Sequence, residues 1–142
     1  MHAWSKISQD IVLKNENSEV LILRHAKSGK WLLPGGRLNK GETWIEGLRR
    51  EVKEEIGTDD FHVTGVIRIA DWVHEKEPHY GVFFTGAISN VEIVLSEEHT
   101  EYAWVKEIKD IEGLTFWHPD LKEMVRMVLL NPERNELFVA LG

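Results

Sequence analysis

Apolar and polar positions along this chain follow two periods, and each change of period marks an element. Residues 6 to 14, KISQDIVLK, read as a first strand. Asn15-Glu16-Asn17-Ser18 is a turn cluster, and residues 19 to 26, EVLILRHA, carry the Val-Leu-Ile-Leu run of a buried strand. After the turn Lys27-Ser28-Gly29-Lys30, Trp31-Leu32-Leu33 is a short strand that ends at Pro34, and Gly35-Gly36 lets the backbone turn. From Thr43 the period becomes helical. Ile45, Leu48, Val52 and Ile56 recur at spacings of 3, 4 and 4 and form one apolar stripe. Thr43 and Glu46 make a capping box, and Gly57 supplies the stop.

The second half repeats the plan. Residues 61 to 73 and 80 to 88 read as strands joined by a charged connection, HEKEPH, at 74 to 79. Val91 to Leu95 is a further candidate strand, followed by the polar loop SEEHT and a short strand at 101 to 106. Residues 107 to 112 suit a helical turn. Pro119 opens a C-terminal helix whose stripe is Leu121, Met124, Val125, Val128 and Leu129, and Asn131-Pro132 ends it. The tail ELFVAL is a last strand or a contact with another subunit. Strands, helix, strands, helix is the order of an α/β (α+β) domain with a mixed sheet between helices, expected to be one domain over residues 1–142.

Composition narrows the chemistry. The net charge of −7 disfavours general binding of a nucleic-acid backbone, which needs clustered cations. With no cysteine there is no disulfide, thiolate zinc site or cysteine nucleophile. Neither a long apolar span nor a signal-peptide pattern is visible, so the expected location is cytoplasmic.

The helical stretch after Thr43 also carries Glu51, Glu54 and Glu55 at i, i+3 and i+4, which puts their carboxylates on one side of the helix, where they repel each other. Alone, such a cluster describes a solvated face, and Arg50 is spaced to pair with Glu46 and Glu54. Gly47 on the same side implies either close packing of a loop or clearance for a ligand. Gly36-x4-Gly41 is not a phosphate-binding P-loop, because Glu42 stands where that motif needs Lys.

The full register is more specific. Gly36, Glu42, Arg50, Glu51, Val52, Glu54, Glu55, Gly57 and Thr58 fit G-x5-E-x7-R-E-U-x-E-E-x-G-U, where U is aliphatic, and only Thr58 departs. Seven fixed residues at average usage would match by chance somewhere in the chain about once in a million sequences. The stretch resembles the signature of the Nudix (MutT-like) hydrolases, and Trp31 to Gly36 resembles that family's approach to it.

The resemblance implies an α/β/α sandwich with a mixed sheet. It implies Mg2+ or Mn2+, and hydrolysis of a nucleoside diphosphate linked to a group X. It gives Glu51, Glu54 and Glu55, with the carbonyl of Gly36, as metal ligands, and Arg50, partnered by Glu42, as the residue that orients them. Glu54 and Arg50 are then catalytic together with Glu98, the loop acid ahead of EYAWV, whose nearest rival is Glu97. The physics is consistent: carboxylates facing a diphosphate need hard divalent cations between them. Arg24 and Arg37 are weaker candidates for phosphate, and Trp31, Trp72 or Tyr80 for a base, although each aromatic also suits the core. His25, His79 and His99 have no metal-ligand spacing and read as surface or substrate-edge residues. The expected partner is a small-molecule nucleotide, with no stable nucleic-acid or membrane binding and a possible homodimer. The substrate stays open between (d)NTPs and nucleotide sugars; a GDP-mannose-type hydrolase and a non-catalytic nucleotide-binding regulator are the alternatives.

Overall fold

A computed structural model describes residues 1–131 and, by backbone alone, 140 and 141. Its elements are β1 (Lys6–Lys14), β2 (Val20–His25), β3 (Trp31–Leu32), β4 (Gly35–Arg37), α1 (Trp44–Ile56), β5 (Phe61–His74), β6 (Glu77–Ile88), β7 (His99–Val105), α2 (Lys109–Glu112), α3 (Pro119–Leu130) and β8 (Ala140–Leu141). The sheet runs β3-β2-β1-β6-β5-β8, with β4 paired to β1 and β7 to β2. It is mixed: β1–β6 and β5–β8 are parallel, the other pairs antiparallel. Helices cover both faces. Ile11 and Leu13 pack with Leu48, Val52 and Ile56 of α1, and Val12 packs with Leu121, Met124 and Val125 of α3. One strand thus serves both cores by the alternation of its side chains.

α1 is built as its sequence predicts. The Thr43 hydroxyl accepts from the Glu46 N–H, the Glu46 carboxylate accepts from the Thr43 N–H, and left-handed Gly57 donates to the Lys53 carbonyl. A Cβ on Gly47 would stand 2.5 Å from Leu38 Cδ1, so this glycine admits the loop that precedes the helix. Thr58 uses its polarity locally, accepting from the Asp60 N–H.

Three expectations change, and a fourth is met in part. Gly35-Gly36 is not a free turn but part of β4, with Gln9 opposite Gly36 and Asp10 opposite Gly35. The 74–79 connection shrinks to a two-residue turn at Glu75 and Lys76, both at positive φ, and lets β5 and β6 extend into one long hairpin. Val91 to Leu95 is not a strand. Its loop instead satisfies carbonyls left open at the end of α1: Val94 N–H donates to Ile56 O, and Ser96 N–H to Glu55 O. Within ELFVAL, residues 136–139 lie outside the described residues, whereas Ala140 and Leu141 pair with Arg68 and Ile69 of β5.

Candidate active site

Strands, loops and helices converge on one hollow of about 250 Å3, lined by Asp10, His25, Leu32, Leu33, Gly35, Glu55, Glu98, His99, Trp117 and Leu121. β1 supplies Asp10, α1 supplies Glu55, and the loop that closes the end of α1 supplies Glu98 and leads into His99 at the start of β7. The Ala26 N–H donates to the Glu98 carbonyl and fixes that loop against the end of β2.

Glu55 is the buried centre. The Gly35 N–H donates to its Oε1 at 2.8 Å, and His99 Nε2 lies 3.2 Å from its Oε2. Burial pushes its carboxyl up to about 9; the Gly35 bond opposes this, and the charges of Asp10, Glu51 and Glu98 add to it. Asp10 is pushed up to about 7 by burial and then by Glu51. Burial also holds His99 below its usual range. Without a cation, Glu55 and His99 therefore form a neutral hydrogen bond at pH 7 rather than an ion pair.

Gly35 and Gly36 explain why a strand can lie here. Gly35 sits at φ 151 with its backbone against Asp10, and a Cβ on Gly36 would occupy the place of the Glu51 carboxylate. Arg50 locks the outer acids. Its Nε and Nη2 donate to the two oxygens of Glu42 at 2.7 and 2.9 Å, its Nη1 donates to Glu51 at 2.7 Å, and Nη2 also reaches the Arg37 carbonyl. These bonds and the Asn39 N–H hold Glu42 below the usual carboxylate range. Glu54 is different: its side chain is 60% exposed and touches Arg50 only at 3.4 Å. Glu46 is engaged in the capping box and not with Arg50.

This donor set fits a hard divalent cation. Ligand atoms of Glu55, Glu98 and His99 lie within 4.8 Å of one another, and the acids around them resist ionisation when no positive charge is present. Glu98, and not Glu97, lines the hollow.

The weaker nominees lie elsewhere. Arg24 is committed to Glu101 and the Gly29 carbonyl. Arg37 is exposed beside β1, Trp31 is buried, and Tyr80 is exposed on β6 opposite Asp71. Trp72 is not core; it lies exposed on β5 and stacks on His79. His79 and His99 are buried, not surface residues, because Trp72 covers one and Glu55 the other. Asp10 carries no motif in the sequence; its one signal is a carboxylate set directly before the apolar run Ile11-Val12-Leu13. Trp117 had no signal beyond its type.

The NUDIX domain family model matches residues 4–128, which span all of the elements just described except the end of α3 and β8. The chain belongs to the Nudix family. Its relatives include an RNA pyrophosphohydrolase of Ruthia magnifica, 27% identical over 82% of this chain and 76% of that protein. They also include the asymmetrical bis(5′-nucleosyl)-tetraphosphatase of Mus musculus, 31% identical over 67% of this chain and 70% of the relative. The crystal structure of a MutT protein from Methanosarcina mazei superposes with a TM-score of 0.72 and 27% identity, over 94% of this chain and 99% of the other. The protein is thus a Nudix hydrolase, of a family that acts on pyrophosphate bonds. Such enzymes generally depend on divalent metal, and the acidic group around Glu55 is suited to one. No helix among the described residues is long and apolar enough to cross a membrane.

Proposed function

We propose that this Nudix hydrolase cleaves a nucleoside diphosphate linked to X, a (d)NTP or a nucleotide sugar. Water attacks phosphorus, one P–O bond of the anhydride breaks, and a nucleoside monophosphate leaves with pyrophosphate or phosphorylated X. The observation that carries this reading is the convergence of Glu55, Glu98 and His99 beside Asp10 in a single hollow, next to the Glu51 held by Arg50. Mg2+ or Mn2+, held by Glu51, Glu54 and Glu55 with the Gly36 carbonyl, would neutralise the phosphates and acidify the attacking water.

The chain's own residues do the rest. Glu98 accepts the proton of the attacking water. Arg50 keeps Glu51 and Glu42 in fixed positions, and the Gly35 N–H does the same for Glu55. Glu54, exposed and loosely held, turns toward the substrate at little cost. The acidic net charge fits a free nucleotide met through a cation in the cytoplasm, rather than a nucleic-acid backbone. Dimerisation belongs to the same proposal and is read by sedimentation.

The test is release of pyrophosphate or monophosphate with Mg2+ over a panel of NTPs, oxidised dNTPs, ADP-ribose, nucleotide sugars and a 5′-triphosphorylated oligoribonucleotide. The last is included because one relative is an RNA pyrophosphohydrolase. Turnover that disappears in Glu54→Gln and Glu55→Gln is expected. If wild type and Glu54→Gln are equally inactive while nucleotide still binds, the chain is a non-catalytic regulator.

A further inference from the structure

Trp117 lies in the same hollow as Glu55 and Glu98, yet it is 55% exposed. A large apolar ring left open beside a cluster of acids contributes little to folding where it stands. Its backbone is nevertheless rigidly placed. The Trp117 N–H donates to the Trp31 carbonyl at 2.8 Å, the Trp31 N–H donates to the Thr115 carbonyl, and α3 starts two residues later. The His25 ring meets the indole at 5.1 Å and 74°, and Lys30 Nζ stands 6.0 Å from its centre.

The five other tryptophans do not meet the acids. Trp31 is buried, and Trp104 is packed against the α1-side core. Trp72 stacks on His79, Trp44 stacks on Phe84, and Trp4 stands near the N-terminus. One cavity therefore has two kinds of wall: carboxylates suited to a cation-bound diphosphate, and one flat aromatic face. A nucleotide has these two parts, a dense anion and a flat π-system.

We infer that Trp117, braced by His25, is the surface on which the nucleobase of the substrate stacks. The inference rests on the nucleotide reading of the acidic site and assigns the residue that separates nucleotides from base-free phosphates. Stacking tolerates any base, so Trp117 sets affinity for nucleotides as a class.

The experiment compares wild type, Trp117→Ala, Trp117→Phe and Trp44→Ala by calorimetry with GMP, AMP and ribose 5-phosphate in the presence of Mg2+. Trp117→Ala should weaken GMP and AMP about tenfold or more and leave ribose 5-phosphate unchanged, while Trp117→Phe keeps most of the affinity. With a hydrolysed nucleotide, KM should rise by the same factor and kcat stay within about threefold. Thermal melts confirm that the variants fold. The inference is overturned if Trp117→Ala binds GMP and AMP as wild type does, or loses ribose 5-phosphate equally. It also fails if Trp44→Ala carries the loss, or if wild type binds the monophosphates no better than ribose 5-phosphate. Should wild type hydrolyse no nucleotide, the proposed activity fails, and the binding comparison still decides the stacking.

Discussion

Gln9 and Asp10 are neighbours on β1 and face two different hollows. Asp10 lines the acidic one, of about 250 Å3. Gln9 lines a groove of about 580 Å3 with Leu38, Trp44, Val66, Val82 and Phe84. The groove is larger and apolar, and Trp44 stacks on Phe84 within it at 5.1 Å. By size alone it would be taken for the binding site. The proposed chemistry belongs to the smaller hollow, because among the described residues acids are buried together there at the expense of their ionisation.

That contrast can be broken most directly at Glu55. Glu55→Gln should cut turnover by about 10²-fold or more, the scale of losing one preorganised electrostatic group. Trp44→Ala in the groove should leave turnover nearly unchanged; comparable losses would erase the distinction. A smaller effect is expected at Arg50. Lysine cannot fork to Glu42 while holding Glu51, so Arg50→Lys should lower activity about 10- to 100-fold and weaken Mn2+ binding measured by titration.

The acidic hollow should also leave a pH signature that the groove lacks. Glu55 keeps its proton up to about 9 when folded but only to an ordinary 4.5 when unfolded. Between those values the folded state binds more protons, so stability falls as pH rises. The limiting slope is about 1.4 kcal/mol per pH unit, or about 5 °C in Tm. Asp10 adds to this below pH 7. Melting with chelator at pH 6 and pH 8 should show the decline, and Mg2+ should reverse it most at pH 8. A Tm that rises with pH would contradict the buried, protonated state of Glu55.

The mildest prediction concerns Gln9, which is 2% exposed and lines the groove. Gln9→Met, a swap of similar volume, should shift Tm by no more than about 5 °C and leave turnover unchanged. If activity falls instead, the groove takes part in catalysis.

α1 was legible in the sequence to its ends because its cap, stripe and stop are local: Thr43, Glu46 and Gly57 lie within a few residues of the bonds they make. The Nudix register was legible for the same reason, as fixed spacings on one helix. β4 and the 91–98 loop were not. Gly35-Gly36 looks like a turn until β1 and Glu51 arrive against it, and Val91 to Leu95 looks like a strand until the open carbonyls of α1 claim its N–H groups.

The sequence by itself determined the layers, the family and which helix bears the acids. Tertiary structure decided which acids act together. Glu51, Glu54 and Glu55 are equivalent as a spacing, but the fold buries Glu55, ties Glu51 to Arg50 and leaves Glu54 in solvent. It also adds Asp10 and Trp117, and brings Glu98 and His99, named from the sequence, into the same hollow from segments distant along the chain. The reason is physical. Periodicity fixes the direction of a side chain within its own element, whereas its ionisation and partners depend on what other elements exclude water from around it.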